Sequence, residues 1–154
     1  KQLFVRVVVQ KVKNASVKVN NQLVGEIKNG LVVLTGYEPS DSQEDISWMV
    51  QKIIKMRIFD DSENKLNFSV LDVNGEILLI SQFTLHAKIR KGNRPSYVKA
   101  ANSDVAKSLY EQFINQFEVD LEKKVQSGKF GANMKLALTN DGPVTIIIDT
   151  KQRE

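Results

Sequence analysis

Cysteine is absent from this chain of 154 residues, and histidine occurs once, at position 86. The first absence excludes disulfides, thiolate metal sites and cysteine nucleophiles together. The second leaves too few imidazoles for a histidine-rich metal centre, so neither a metal nor a cofactor is expected. No apolar run approaches the roughly 20 residues that cross a bilayer, and no charged, then apolar, then small-residue leader opens the sequence. A soluble, cytoplasmic protein that does not engage a membrane is expected. With 42% hydrophobic residues, residues 1–154 are expected to form one domain, burying about 70% of the surface that the unfolded chain exposes.

Negative charge is missing from one long stretch. Between Ile77 and Ser103 there is no Asp or Glu, whereas Lys88, Arg90, Lys91, Arg94 and Lys99 supply five positive charges, more than the net charge of +4. Lys88 to Pro95 has the glycine and proline of a loop. A basic loop of this kind suits a phosphate-bearing partner, and serves equally well as a solvated surface.

What the chain does contain is strand and helix periodicity. Phe4 to Val12 is dense in valine, Ser16 to Val19 alternates with period two, and Asn20-Asn21 reads as a tight hairpin turn. Leu23 to Ile27 and Leu31 to Leu34 read as a second hairpin around Lys28-Asn29-Gly30, making the first 36 residues a meander. Ser40 or Asp41 is placed to cap a helix with Glu44 and Asp45 in its first turn. Ile46, Met49, Val50, Ile53 and Ile54 then form one apolar face ending near Met56. Asp60 to Asn64 is a polar loop without the spacing of a calcium-binding loop.

A second helix, capped by Asn102 or Ser103, carries Val105, Ala106, Leu109, Tyr110, Phe113, Ile114 and Phe117 on one stripe. Val125 to Phe130 and Met134 to Leu138 read as strands. The order of elements predicts an α+β domain whose mostly antiparallel sheets pack as a barrel-like sandwich with two main helices.

Two polar segments stand at the ends of apolar runs: Ser81-Gln82-Phe83-Thr84-Leu85 after Ile77 to Ile80, and Asn140-Asp141-Gly142-Pro143-Val144-Thr145 before Ile146 to Ile148. Active sites collect at such strand ends. If the first segment stays extended, Thr84 and His86 share a face and Ser81 takes the other. A threonine activated by histidine is chemically available there, without a third group to orient the base. Gly142-Pro143 reads as a turn that launches the last strand.

Ser81 to Thr84 together with Asn140, Gly142, Pro143, Val144 and Thr145 resembles the two-motif signature of the D-aminoacyl-tRNA deacylases, also called D-tyrosyl-tRNA deacylases. The similarity extends to Arg6 to Gln10, Gly25 to Ile27, Arg57 to Phe59, Lys91 to Ser96 and Gly128 to Gly131. The resemblance implies the deacylase-like fold and hydrolysis of the ester between a D-amino acid and the 3′-terminal adenosine of tRNA. It implies a homodimer in which a cis Gly142-Pro143 enters the partner's site as a chiral filter of main-chain carbonyls. Backbone N–H groups around Gln82 and Phe83 would stabilise the oxyanion. Ser81, Gln82, Phe83 and Thr84 would form the catalytic segment, in which Thr84 has the chemistry of a nucleophile while the family pattern leans towards the tRNA's own 2′-hydroxyl assisting a water. Phe130, Met134 and Thr145 match positions that line the adenosine pocket.

There are two departures from the family pattern. Val5 stands where relatives begin with methionine, so residues 1–4 read as an extension ahead of the domain. Lys11 replaces an arginine that braces the Gly-Pro motif, keeping the charge but losing the planar fork of donors. Two alternative readings use the same fold. A sibling enzyme carries the Gly-Pro in trans, removes wrongly attached L-amino acids and reads Pro-Gln-Ala-Thr at its first motif; Ser81 and Phe83 argue against it. A nucleic-acid-binding module linked to DNA replication rests on the basic segment alone, and has no need of an intact Ser81 to Thr84.

Overall fold

A computed structural model of the chain describes residues 5–39 and 44–153. Phe4, at the start of the expected first strand, and the candidate caps Ser40 and Asp41 lie outside them. Strand β1 (Val5–Val19) is the spine of a six-stranded sheet. One of its edges is paired antiparallel with β8 (Lys135–Asp149) from Arg6 to Lys18. Its other edge takes β3 (Gly30–Tyr37) beside residues 5–12 and β2 (Gln22–Ile27) beside residues 15–19.

The first 36 residues are therefore not a meander. The first hairpin forms as expected, with Asn20 and Asn21 both at positive φ (51° and 64°), the backbone of a tight primed turn. The second does not: β3 pairs with the first half of β1 and not with β2, because β1 is long enough to seat both on one edge.

From β3 the sheet continues in parallel through β6 (Glu76–Ser81) to β7 (Gln126–Ser127). Parallel neighbours need crossovers. Helix α1 (Glu44–Lys55) supplies the first, together with the small ladder of β4 (Phe59–Asp60) and β5 (Leu66–Phe68), and helix α2 (Ser103–Leu121) supplies the second. Asn102 caps α2 by accepting the Val105 N–H through Oδ1 at 3.0 Å. The expected strand Val125 to Phe130 shrinks to two residues.

Both helices cover one face of the sheet. The apolar stripe of α1 and Phe113 and Phe117 of α2 are buried against Val5, Val7, Val9, Leu31, Val33, Ile77 and Leu79. The opposite face curls around a second core of Val12, Ala15, Val17, Ile27, Val32, Leu78 and Ile80 from β1, β2, β3 and β6. Leu136 and Leu138 of β8 pack against it, giving the barrel-like interior. Leu31 to Val33 and Ile77 to Ile80 thus serve two cores alternately, which is why these strands read as unbroken apolar runs. In β1 one extra residue opposite β8 between Val12 and Asn14 shifts the alternation, so Ala15 and Val17 follow Val12 into the inner core.

Candidate active site

Strand β6 ends at Ser81, registered against Thr35 of β3. The Gln82 N–H still donates to the Thr35 carbonyl at 2.7 Å. The chain then turns into a short 3-10 helix, Phe83–His86, so the segment does not stay extended. Gly36 explains the turn: a Cβ there would lie 2.8 Å from the Gln82 carbonyl and 3.0 Å from His86 Cδ2, so a side chain would hold the turn off β3.

Thr84 and His86 accordingly do not share a strand face. His86 is buried, with Nδ1 3.3 Å from Glu38 Oε1 and no hydrogen-bond partner for either nitrogen among the described residues. Thr84 Oγ1 instead accepts a hydrogen bond from Gln82 Nε2. The first turn of a helix leaves its N–H groups without intrahelical acceptors, which here concerns Phe83 and Thr84. Because the Gln82 N–H is bound to Thr35, Phe83 is the available donor of the expected Gln82 and Phe83 pair. Arg6 fixes the far end of the turn, donating from Nη1 to the Leu85 carbonyl at 2.8 Å and from Nε to Asp149 Oδ2 at 3.0 Å.

The turn forms one wall of a cavity of about 750 Å³. Ser81, Gln82 and Phe83 line it together with Phe130 and Met134, with Thr35 and Tyr37 from β3 and with Ala106 from α2. Inside the wall, Thr35 Oγ1 donates to Tyr37 Oη at 3.0 Å. Tyr110 of α2 donates its hydroxyl to the Leu79 carbonyl at 2.7 Å and meets the Phe130 ring at 5.9 Å. Burial pushes the Tyr110 phenol up to about 12 and raises that of Tyr37 as well. Neither supplies a base near neutrality. The lining suits a flat base against an aromatic ring and a thioether.

The second motif is built differently from the turn expected. Strand β8 does not start after Pro143; it runs from Lys135 to Asp149 and pairs with β1 on both sides of the motif. Gln10 faces Thr145 and Val12 faces Asn140, so the four residues Asp141 to Val144 stand opposite Lys11 alone. Asn140 closes this bulge at its base: Oδ1 accepts the Val144 N–H and Nδ2 donates to Thr145 Oγ1, both at 2.9 Å. Gly142 and Pro143 are exposed at its tip, joined by a cis peptide bond. Gly142 has φ of 130°, and a Cβ on it would meet Val144 Cγ2 at 2.8 Å.

Lys11 is buried, its Nζ 3.9 Å from Asp60 Oδ2 and 5.8 Å from the centre of the Phe59 ring. The structure thus gathers Ser81, Gln82, Phe83, Phe130 and Met134 around one cavity. Gly142, Pro143, Thr145, Thr84 and Lys11 are not among its lining residues. Sequence reasoning missed Thr35, Ala106 and Tyr97 as lining residues. Tyr97 carried a usable signal, being the only aromatic residue in the basic stretch from Lys88 to Lys99.

The family described as D-Tyr-tRNA(Tyr) deacylase matches residues 8–149. The chain belongs to that family. It is 54% identical to the D-aminoacyl-tRNA deacylase of Flavobacterium psychrophilum over 149 residues, covering 97% of this chain and 99% of that protein. The D-aminoacyl-tRNA deacylase of Thermosipho africanus is 52% identical over 147 residues, covering 96% and 98%. Among solved structures, one described as a c-Myc DNA unwinding element binding protein superposes with a TM-score of 0.86 at 39% identity, covering 93% of this chain and 97% of that one. A probable eukaryotic D-amino acid tRNA deacylase gives 0.83 at 21% identity, covering 95% and 99%, and shares the fold. Among the described residues no helix is long and apolar enough to cross a membrane.

Proposed function

We propose that this chain is a D-aminoacyl-tRNA deacylase, acting in the cytoplasm as a homodimer to release the free D-amino acid and tRNA. The observation that carries this reading is the division of the two motifs: Ser81 to Phe83 line the cavity, while Gly142 and Pro143 project from a pinned bulge on the same chain. That Gly142 and Pro143 are exposed and absent from the lining of their own cavity supports a gate that completes the cavity of a partner, as in an isologous dimer.

In this reading Phe130 and Met134 receive the terminal adenosine and the ester carbonyl lies at the 3-10 turn. Water attacks the carbonyl carbon, and the Phe83 N–H, fixed before the reaction, receives the developing oxyanion. The ester bond to the ribose oxygen then breaks, and that oxygen takes a proton as the carboxylic acid leaves. The 2′-hydroxyl of the tRNA assists the water, since no side-chain base is hydrogen-bonded to Thr84 Oγ1 among the described residues. The partner's Gly-Pro carbonyls accept the amino group in the D configuration and obstruct the substituents of the L configuration, which is selection by exclusion.

Mixing two inactive variants tests both activity and assembly. Met134→Trp fills the cavity, and Pro143→Ala displaces the carbonyls that accept the amino group of the D-substrate. Each alone is expected to lose D-tyrosyl-tRNA hydrolysis, while subunits mixed one to one regain about a quarter of wild-type activity, because half the dimers are mixed and each holds one intact site. No recovery on mixing, with dimers exchanging freely, rules out a site completed across the interface.

A further inference from the structure

We infer that Tyr97 is the stacking platform for the nucleotide that precedes the terminal adenosine, and that the loop before it receives the adjoining phosphates. The inference rests on the deacylase reading of the cavity.

Tyr97 stands at the rim of the cavity, with its ring 5.0 Å from that of Phe83 and tilted by 74°. Edge-to-face contact of this kind fixes the orientation of a ring. The pair is nevertheless wet: Phe83 is 54% and Tyr97 38% exposed. In the single chain two adjoining aromatic rings stand exposed at the cavity mouth, where a flat apolar group beside the partner's gate would cover them.

The chemistry around them specifies a nucleotide. Lys88 and Ser96 exchange backbone hydrogen bonds at 2.7 and 2.8 Å, closing residues 89–95 into a loop that starts from Tyr97's own neighbour. Arg90, Lys91 and Arg94 are exposed on that loop, and none has an acidic partner among the described residues. Gly92 turns the loop with φ of 66° and nothing within 4 Å of where its Cβ would be, so the loop tip is open to a partner. Aromatic faces beside unpaired cations are how single-stranded RNA ends are held: bases stack and phosphates meet the charges.

With the adenosine against Phe130 and Met134 and the ester at Phe83, we place the next base on the 5′ side at the rim, on the Tyr97 ring that adjoins Phe83. Stacking is indifferent to base identity, so the step grips the shared 3′ end of tRNA and leaves amino-acid selection to the Gly-Pro gate.

The test compares wild type, Tyr97→Ala and Tyr97→Phe on D-tyrosyl-tRNA that is intact or lacks the base of the penultimate nucleotide. On intact tRNA, Tyr97→Ala should lose about tenfold or more in kcat/KM, mainly through KM, while Tyr97→Phe stays close to wild type. On the abasic tRNA, wild type should fall by a similar factor and Tyr97→Ala should fall no further. Equal losses from Tyr97→Ala on both substrates would mean that Tyr97 packs against protein instead, and would overturn the inference. Wild-type indifference to the missing base would overturn it too. An inactive wild type would instead refute the deacylase reading.

Discussion

Asn140 accepts the N–H of Val144 through Oδ1 at 2.9 Å, bridging the neck of a four-residue bulge that carries Gly142 and Pro143. Its other arm reaches Thr145 Oγ1 at the same distance. One side chain therefore holds the shape of the proposed gate without being part of it.

Removing that side chain should blunt selectivity more than turnover. Asn140→Ala loses two hydrogen bonds, each contributing about 0.5–1.5 kcal/mol, so the preference for D- over L-tyrosyl-tRNA should fall by about tenfold. Asn140→Asp should retain most of it, since the Thr145 hydroxyl can donate to a carboxylate. Rates of both variants on the two substrates decide the matter.

Gly142→Ala places a methyl group at φ of 130° and 2.8 Å from Val144 Cγ2. A residue forced into an incompatible backbone costs more than about 1 kcal/mol. The melting temperature should drop and D-tyrosyl-tRNA hydrolysis should fall. An unaltered enzyme would show that the bulge has room that the structure does not display.

Thr84→Ala should remain an enzyme. Thr84 Oγ1 is hydrogen-bonded to Gln82 Nε2, an amide that cannot accept its proton through that contact. The loss in kcat should be smaller than the about 10²–10⁴-fold that accompanies removal of an acid–base group. Abolished hydrolysis with tRNA binding intact would instead make Thr84 the nucleophile.

Alkali should unfold the protein through its buried phenols. Tyr110, raised to about 12, and Tyr37, raised by burial too, stay protonated in the fold, while in the unfolded chain they titrate at the ordinary value of 10.0. Their contribution is intact below pH 10 and is lost as pH rises from there through the folded value, by at most about 1.4 kcal/mol per pH unit for each phenol. Urea midpoints at pH 9 and pH 11 should differ accordingly, and by less in Tyr110→Phe.

The helices were legible because 3.6-residue spacing is local: each apolar position predicted on α1 is buried. The Asn20-Asn21 hairpin was legible for the same reason. The partner of β3 was not, since β-pairing depends on which edge has room, and a 15-residue β1 seats two strands on one edge. Nor was the 3-10 turn at Phe83, which depends on the missing side chain of Gly36, almost fifty residues away.

Gly142-Pro143 reads from sequence as a turn that launches the last strand because both residues interrupt strands. Strand β1 pairs with β8 before and after it, so the interruption is absorbed as a bulge. Lys11 stood out only against the family pattern, which has an arginine there. Its burial beside Asp60 and Phe59 depends on the fold of β4, which no local pattern encodes.

The proposed main-chain gate should make this chain hydrolyse one enantiomer. The most direct measurement follows release of tyrosine from D- and L-tyrosyl-tRNA by the purified protein under identical conditions. Rapid release from the D-ester with a largely intact L-ester is expected; equal rates on both would rule the gate out.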